Sequence, residues 1–139
     1  MTTGIAGSSA RQLNQQQTHY LRFSVGYSDP GIAAGAGKQW LPKGALILRT
    51  SIHVGTAFNA GTTNVLTVGI NNPSYDNIVA AADVAETATG LTQNVKPTGT
   101  ALGPLASDAQ VFALFAQTGT SASAGQATVV IEYVPNNDL

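Results

Sequence analysis

From His19 to Tyr27 the chain alternates, with Leu21, Phe23, Val25 and Tyr27 on one parity and Arg22, Ser24 and Gly26 on the other. A period of two predicts a half-buried strand. Residues 28–45 lose that period: Asp29-Pro30-Gly31, Ala34-Gly35-Ala36-Gly37 and Leu41-Pro42-Lys43-Gly44 read as a long loop with turns. A second strand is expected over 46–54, with Leu46, Leu48, Ile52 and Val54 facing the core and Arg49, Ser51 and His53 outward. After Asn59-Ala60-Gly61-Thr62-Thr63 comes a third, in which Leu66, Val68 and Ile70 alternate with Val65, Thr67 and Gly69, and the glycine-containing connection predicts a hairpin between the two. Asn71-Asn72-Pro73 ends the pattern, and Ser74 can cap one or two helical turns running to Asp83 or Val84, the one helix the pattern allows.

The remaining chain returns to strands. A weak candidate occupies 89–95, and Pro97, Gly99, Gly103 and Pro104 mark another loop. Val111-Phe112-Ala113-Leu114-Phe115-Ala116 is apolar on both parities, which places it mid-sheet with each face covered. In the last strand, 127–134, Val129, Ile131 and Tyr133 take one side and Thr128, Val130, Glu132 and Val134 the other, and the loop 119–125 predicts a second hairpin. Six or seven short strands with long Gly/Pro loops and almost no helix predict an all-β fold: an antiparallel β-sandwich, of which a jelly roll is one specific version. The domain is expected to span 18–139. Beyond Met1, residues 1–17 contain only Ile5 and Leu13 as larger apolar side chains; they read either as a flexible tail or as an N-terminal arm that orders against a partner.

Composition narrows the function. Only 9% of the 139 residues are charged, against roughly 25% in an average soluble protein, and the net charge is −1. A chain with six basic residues has no footprint for a phosphate backbone or an anionic bilayer, so neither nucleic acid nor membrane is an expected partner. No apolar run approaches the roughly 20 residues of a membrane span, and Met1-Thr2-Thr3-Gly4 lacks the basic and apolar regions of a secretion signal, so neither is expected. With no cysteine, disulfides, thiolate metal sites and thiol nucleophiles fall away together.

Candidate chemistry is sparse. His19 and His53 have no third ligand at metal spacing and read as ordinary strand-end and surface histidines. No G-x-S-x-G elbow exists, and Glu86, Glu132 and the five aspartates are scattered, so no acid/base pair is assembled. Gly35-Ala36-Gly37-Lys38 departs from a phosphate loop twice: Ile32 stands in the first glycine position and Gln39 replaces the magnesium-binding hydroxyl. Asn72-Pro73-Ser74 carries proline where a glycosylation sequon excludes it. A non-enzymatic protein without metal or cofactor is the expectation. Tyr20, Trp40 and Tyr75 are the aromatics that could anchor an interface or stack on a sugar ring. The plainer reading, a loop tucked onto the domain's own core, is slightly favoured for Trp40.

Three phrases carry a likeness to a known family: Leu41-Pro42-Lys43-Gly44-Ala45 before a strand, the run from Ala57 to Gly69 across the turn, and Ala81-Ala82-Asp83-Val84 beyond it. Over residues 18–135 the chain resembles small virion structural proteins of tailed bacteriophages, particularly head decoration or cement proteins with a jelly-roll fold. The resemblance implies a homotrimeric clip, made in the host bacterial cytoplasm. It would sit on the capsid exterior and bridge neighbouring copies of the major capsid protein. Contacts are expected from the segment 1–17 and from outward residues of the last two strands, with Leu13, Tyr20, Trp40, Tyr75, Val130 and Val134 as the candidate partner-binding residues. With so few charges, docking should depend little on salt. The alternative is a jelly-roll module of a phage tail or fibre that binds a glycan or receptor.

Overall fold

A computed structural model of the chain describes residues 17–136. Among the described residues seven strands follow one another: β1 (His19–Gly26), β2 (Ala36–Leu41), β3 (Leu46–Thr56), β4 (Thr63–Gly69), β5 (Gly90–Val95), β6 (Ala109–Thr118) and β7 (Gln126–Val134), with a 3₁₀ turn at Gly99–Ala101. They form two antiparallel sheets, one ordered β1-β7-β3-β5 and the other β2-β6-β4. The inward-facing residues, among them Val25, Leu41, Ile52, Leu66, Val111, Phe115, Val129 and Ile131, make one core between the sheets. An antiparallel β-sandwich is therefore the fold.

The chain changes sheet at almost every connection, and the exception completes the topology. After β4 it stays beside that strand, where Val79 forms an antiparallel bridge with Val68 before β5 crosses over. Counting this bridge as a residual eighth strand, the order is that of a jelly roll with one strand cut to a single residue.

Both expected hairpins are crossings between sheets. β3 pairs with β5 and β7 rather than with β4, and β6 pairs with β2 and β4 rather than with β7. A loop of six or seven residues containing glycine can close a hairpin, but it can also span the ~10 Å between stacked sheets. Here the two loops hold each other in the crossing form. Asn59 accepts N–H bonds from Ser123 and Ala124 at 2.8 and 2.9 Å, and the Gly61 N–H donates to the Thr120 carbonyl at 2.8 Å. Phe58 is buried against Phe115, ring centroids 4.7 Å apart. Gly125, at φ 148°, passes over the Phe58 ring so closely that a Cβ would strike it.

The stretch expected to be a helix forms turns instead. Side chains there compete for the backbone: Asn71 Oδ1 accepts from the Asp76 and Asn77 N–H groups, Asn77 Oδ1 from Ile70 and Asp83 Oδ2 from Ala80. No α-helix occurs among the described residues. The supposed loop 28–45 contains β2, whose register slips between Gly37 and Gln39, and that bulge erases the alternation a strand would display. A second bulge, between Ile47 and Arg49, inverts the expected start of β3. Ile47 turns inward and Leu46 and Leu48 outward, and the predicted phase resumes at Thr50.

Edge protection is uneven. The N–H groups on the free side of β4 and its extension are taken by the segment that follows: Leu66 by the buried Glu86 carboxylate at 2.8 Å, Val68 by the Val79 carbonyl and Ile70 by Asn77. That edge is closed to another strand.

Candidate docking surface

In the four-stranded sheet, register places outward residues in rows. Tyr20 lies opposite Glu132, itself opposite Arg49; Arg22 opposite Val130, then Ser51; Ser24 opposite Thr128, then His53 and Leu91. Leu46 and Val134 close one end. Of the seven large apolar side chains exposed among the described residues, five (Tyr20, Leu46, Leu48, Leu91 and Val134) belong to this sheet. Tyr20 is 66% exposed and Leu91 57%. Val130 is half-buried in the middle of the face.

Polar groups here are largely neutralised within the face. The Arg49 guanidinium grips Glu132 through two contacts, Nη2 to Oε1 at 2.8 Å and Nε to Oε2 at 3.2 Å. Such a fork can be covered by a partner without leaving either charge alone. Thr18, His19, Tyr20, Val130 and Glu132 line a shallow depression of about 290 Å³ at the end where the chain enters β1. His19 leans edge-on against Tyr133, centroids 5.9 Å apart. His53 stands on the same face, and no cluster of three metal-ligating side chains occurs among the described residues.

The structure thus brings together Tyr20, Val130 and Val134 from the candidate set and separates the others. Trp40 sits on β2 of the other sheet, cross-strand from Gln110, and at 60% exposure it stands in solvent rather than tucked onto the core. With Leu41, Pro42 and Asp108 it borders a second depression of about 280 Å³. Tyr75 is only 8% exposed and stacks on Phe112 at 4.5 Å, so it covers the outer side of β6 and presents no free ring to a partner. It is that cover which lets β6 be apolar on both parities. Leu13 lies outside the described residues. Pattern reading misses Leu46, Leu48 and Leu91: the first two read as inward because a bulge cannot be seen in composition, and β5 carries too few apolar residues for its face to register.

One ion pair outside this face shapes a loop. Asp29 accepts from Lys38 Nζ at 2.6 Å and from the Gly26 N–H at 2.9 Å. Partial burial pushes its carboxyl upward, but the two hydrogen bonds and the Lys38 charge outweigh that and hold it below the ordinary value of 3.8.

No family model matches the chain, and no curated protein does. Solved structures are similar in fold. A chain in the capsid of Ralstonia phage GP4 superposes with a TM-score of 0.62 at 20% identity, covering 87% of this chain and 86% of that one. A chain of the cyanophage Pam1 capsid asymmetric unit gives 0.57 at 18%, covering 86% of each. A chain of the acid-stable capsid of Helicobacter pylori bacteriophage KHP30 gives 0.57 at 15%, covering 88% and 91%. Three capsids with hosts in different bacterial groups thus contain the same sandwich over nearly its whole length.

Proposed function

We propose that this chain is a structural protein of a bacteriophage virion, without enzymatic activity, that decorates the capsid exterior as a homo-oligomer, most simply a trimer, and cements neighbouring major capsid subunits. The observation that carries the reading is that five of the seven large apolar side chains exposed among the described residues belong to one sheet, in a fold shared with chains of three phage capsids. Monomeric proteins seldom leave such faces open. Burial at about 25 cal/mol per Å² favours covering it, and several symmetric copies multiply a modest contact into slow release.

The test is direct. Purified protein added to expanded capsids that lack it should co-sediment with the shells and raise their melting temperature, while shells that neither bind nor gain stability would refute the proposal. A second reading draws on one observation, the exposed Trp40 indole beside Pro42 and Asp108, which has the form of a stacking platform for a sugar ring. A glycan array probed with the native chain and with Trp40→Ala separates the two, since a cement protein gives no Trp40-dependent sugar signal.

A further inference from the structure

We propose that residues 1–16 of one copy lie extended across the outer face of the four-stranded sheet of a neighbouring copy, anchored by Ile5 and Leu13. Area is the first argument. Four strands about 4.8 Å apart, each about eight residues long at about 3.3 Å per residue, give a face of roughly 19 by 26 Å, or about 500 Å². Two such faces pressed together would bury about 1,000 Å², the floor for a specific interface. A further cover is needed, and sixteen residues reach about 50 Å when extended.

The segment fits that face in spacing. Ile5 and Leu13 are its only large aliphatic side chains, apart from the first Met, and they are eight residues apart. In an extended chain an even spacing sets both on the same side, about 26 Å from one another, which is the length of the face. No proline interrupts residues 1–16, so each peptide retains its N–H for the Ser24, Ser51 and Thr128 hydroxyls of the face.

A second copy is the better host than the chain's own body. Gln17 bends the backbone just before β1, but residues 8–18 contain neither glycine nor proline to turn it back tightly over its own sheet. Continuing outward needs no reversal. The inference rests on the self-association in the proposed function and on nothing about the shell.

The chain has no cysteine, so engineered thiols report cleanly. Full-length Leu13→Cys protein is mixed with full-length Val130→Cys protein under mild oxidation, with Thr118→Cys, on the other sheet, as the control partner. A disulfide joining position 13 of one chain to position 130 of another, with little linking to position 118, is expected. No link, equal linking at both positions, or a link formed only within one chain when both thiols are placed together would overturn the proposal. Independently, full-length Ile5→Ser/Leu13→Ser protein should self-associate about tenfold more weakly by sedimentation; unchanged association refutes the anchoring role. Capsid co-sedimentation run in parallel keeps the two ideas apart: attachment without cross-linking removes only this inference, and loss of attachment by the native chain removes the function.

Discussion

Single side chains in the interior already set clear expectations. Thr50 is fully buried on the inward parity of β3, and its hydroxyl finds no protein partner among the described residues. Thr50→Val replaces that orphan with a methyl group in a β-branched side chain of the same shape. The variant should therefore be more stable by about 1 kcal/mol in urea denaturation. Phe58 is the opposite case: its ring fills the space between Phe115 and Gly125, and Phe58→Ala should cost about 3–5 kcal/mol. Asp29 sets a pH dependence. Its carboxyl is held below the unfolded value, so its stabilising contribution is fully present above that value and is lost as pH falls through the folded one. Melting temperatures measured from about pH 6 down to about pH 2 should fall less steeply for Asp29→Asn than for the native chain, from a lower starting point.

Elements show why some of this fold can be read from sequence and some cannot. β1 and β7 betray themselves by alternation, and β6 by having none, because an apolar run on both parities fits a strand covered on each side. The phase of β3 and the existence of β2 are hidden for one shared reason: each carries a bulge, and one extra residue reverses the parity on which the reading depends. Strand pairing is hidden for another. Glycine-containing loops 57–62 and 119–125 permit a hairpin or a crossing, and the choice is made by Phe58 and Asn59 reaching residues far along the chain. Of the candidate surface, Tyr20, Val130 and Val134 are legible as outward parity. Trp40 and Tyr75 are not, since exposure of a loop aromatic depends on what packs over it. Glu86 shows a carboxylate whose role is architectural. Its acceptance of the Leu66 N–H closes the β4 edge, so Glu86→Ala should cost about 1–3 kcal/mol and speed hydrogen exchange at the Leu66 amide, whereas Glu86→Gln, which keeps an acceptor oxygen, should be milder.

For the molecule as a whole, the two sheet faces divide the labour. The three-stranded sheet has its outer side partly covered from within, by Tyr75 over Phe112, and its β4 edge sealed by the following segment. The four-stranded sheet has no such cover from the described chain, and its one carboxylate is already forked to Arg49. Association through this face should therefore be driven by apolar area and shape, with charge contributing little. Two outcomes follow for a shell-bound protein. Raising salt from about 0.05 to about 0.5 M, which shortens the Debye length from roughly 14 to 4 Å, should leave attachment nearly unchanged. Placing a charge in the middle of the face, by Val130→Glu opposite Arg22, should weaken both self-association and attachment by about tenfold, because that carboxylate and the guanidinium facing it must lose their water together on burial. The same substitution should leave the melting temperature of the dilute protein close to native, since Val130 points away from the core. If Val130→Glu instead lowered that temperature sharply and left binding to shells intact, the face would be a structural surface of the monomer, and the docking site would have to be sought around Trp40.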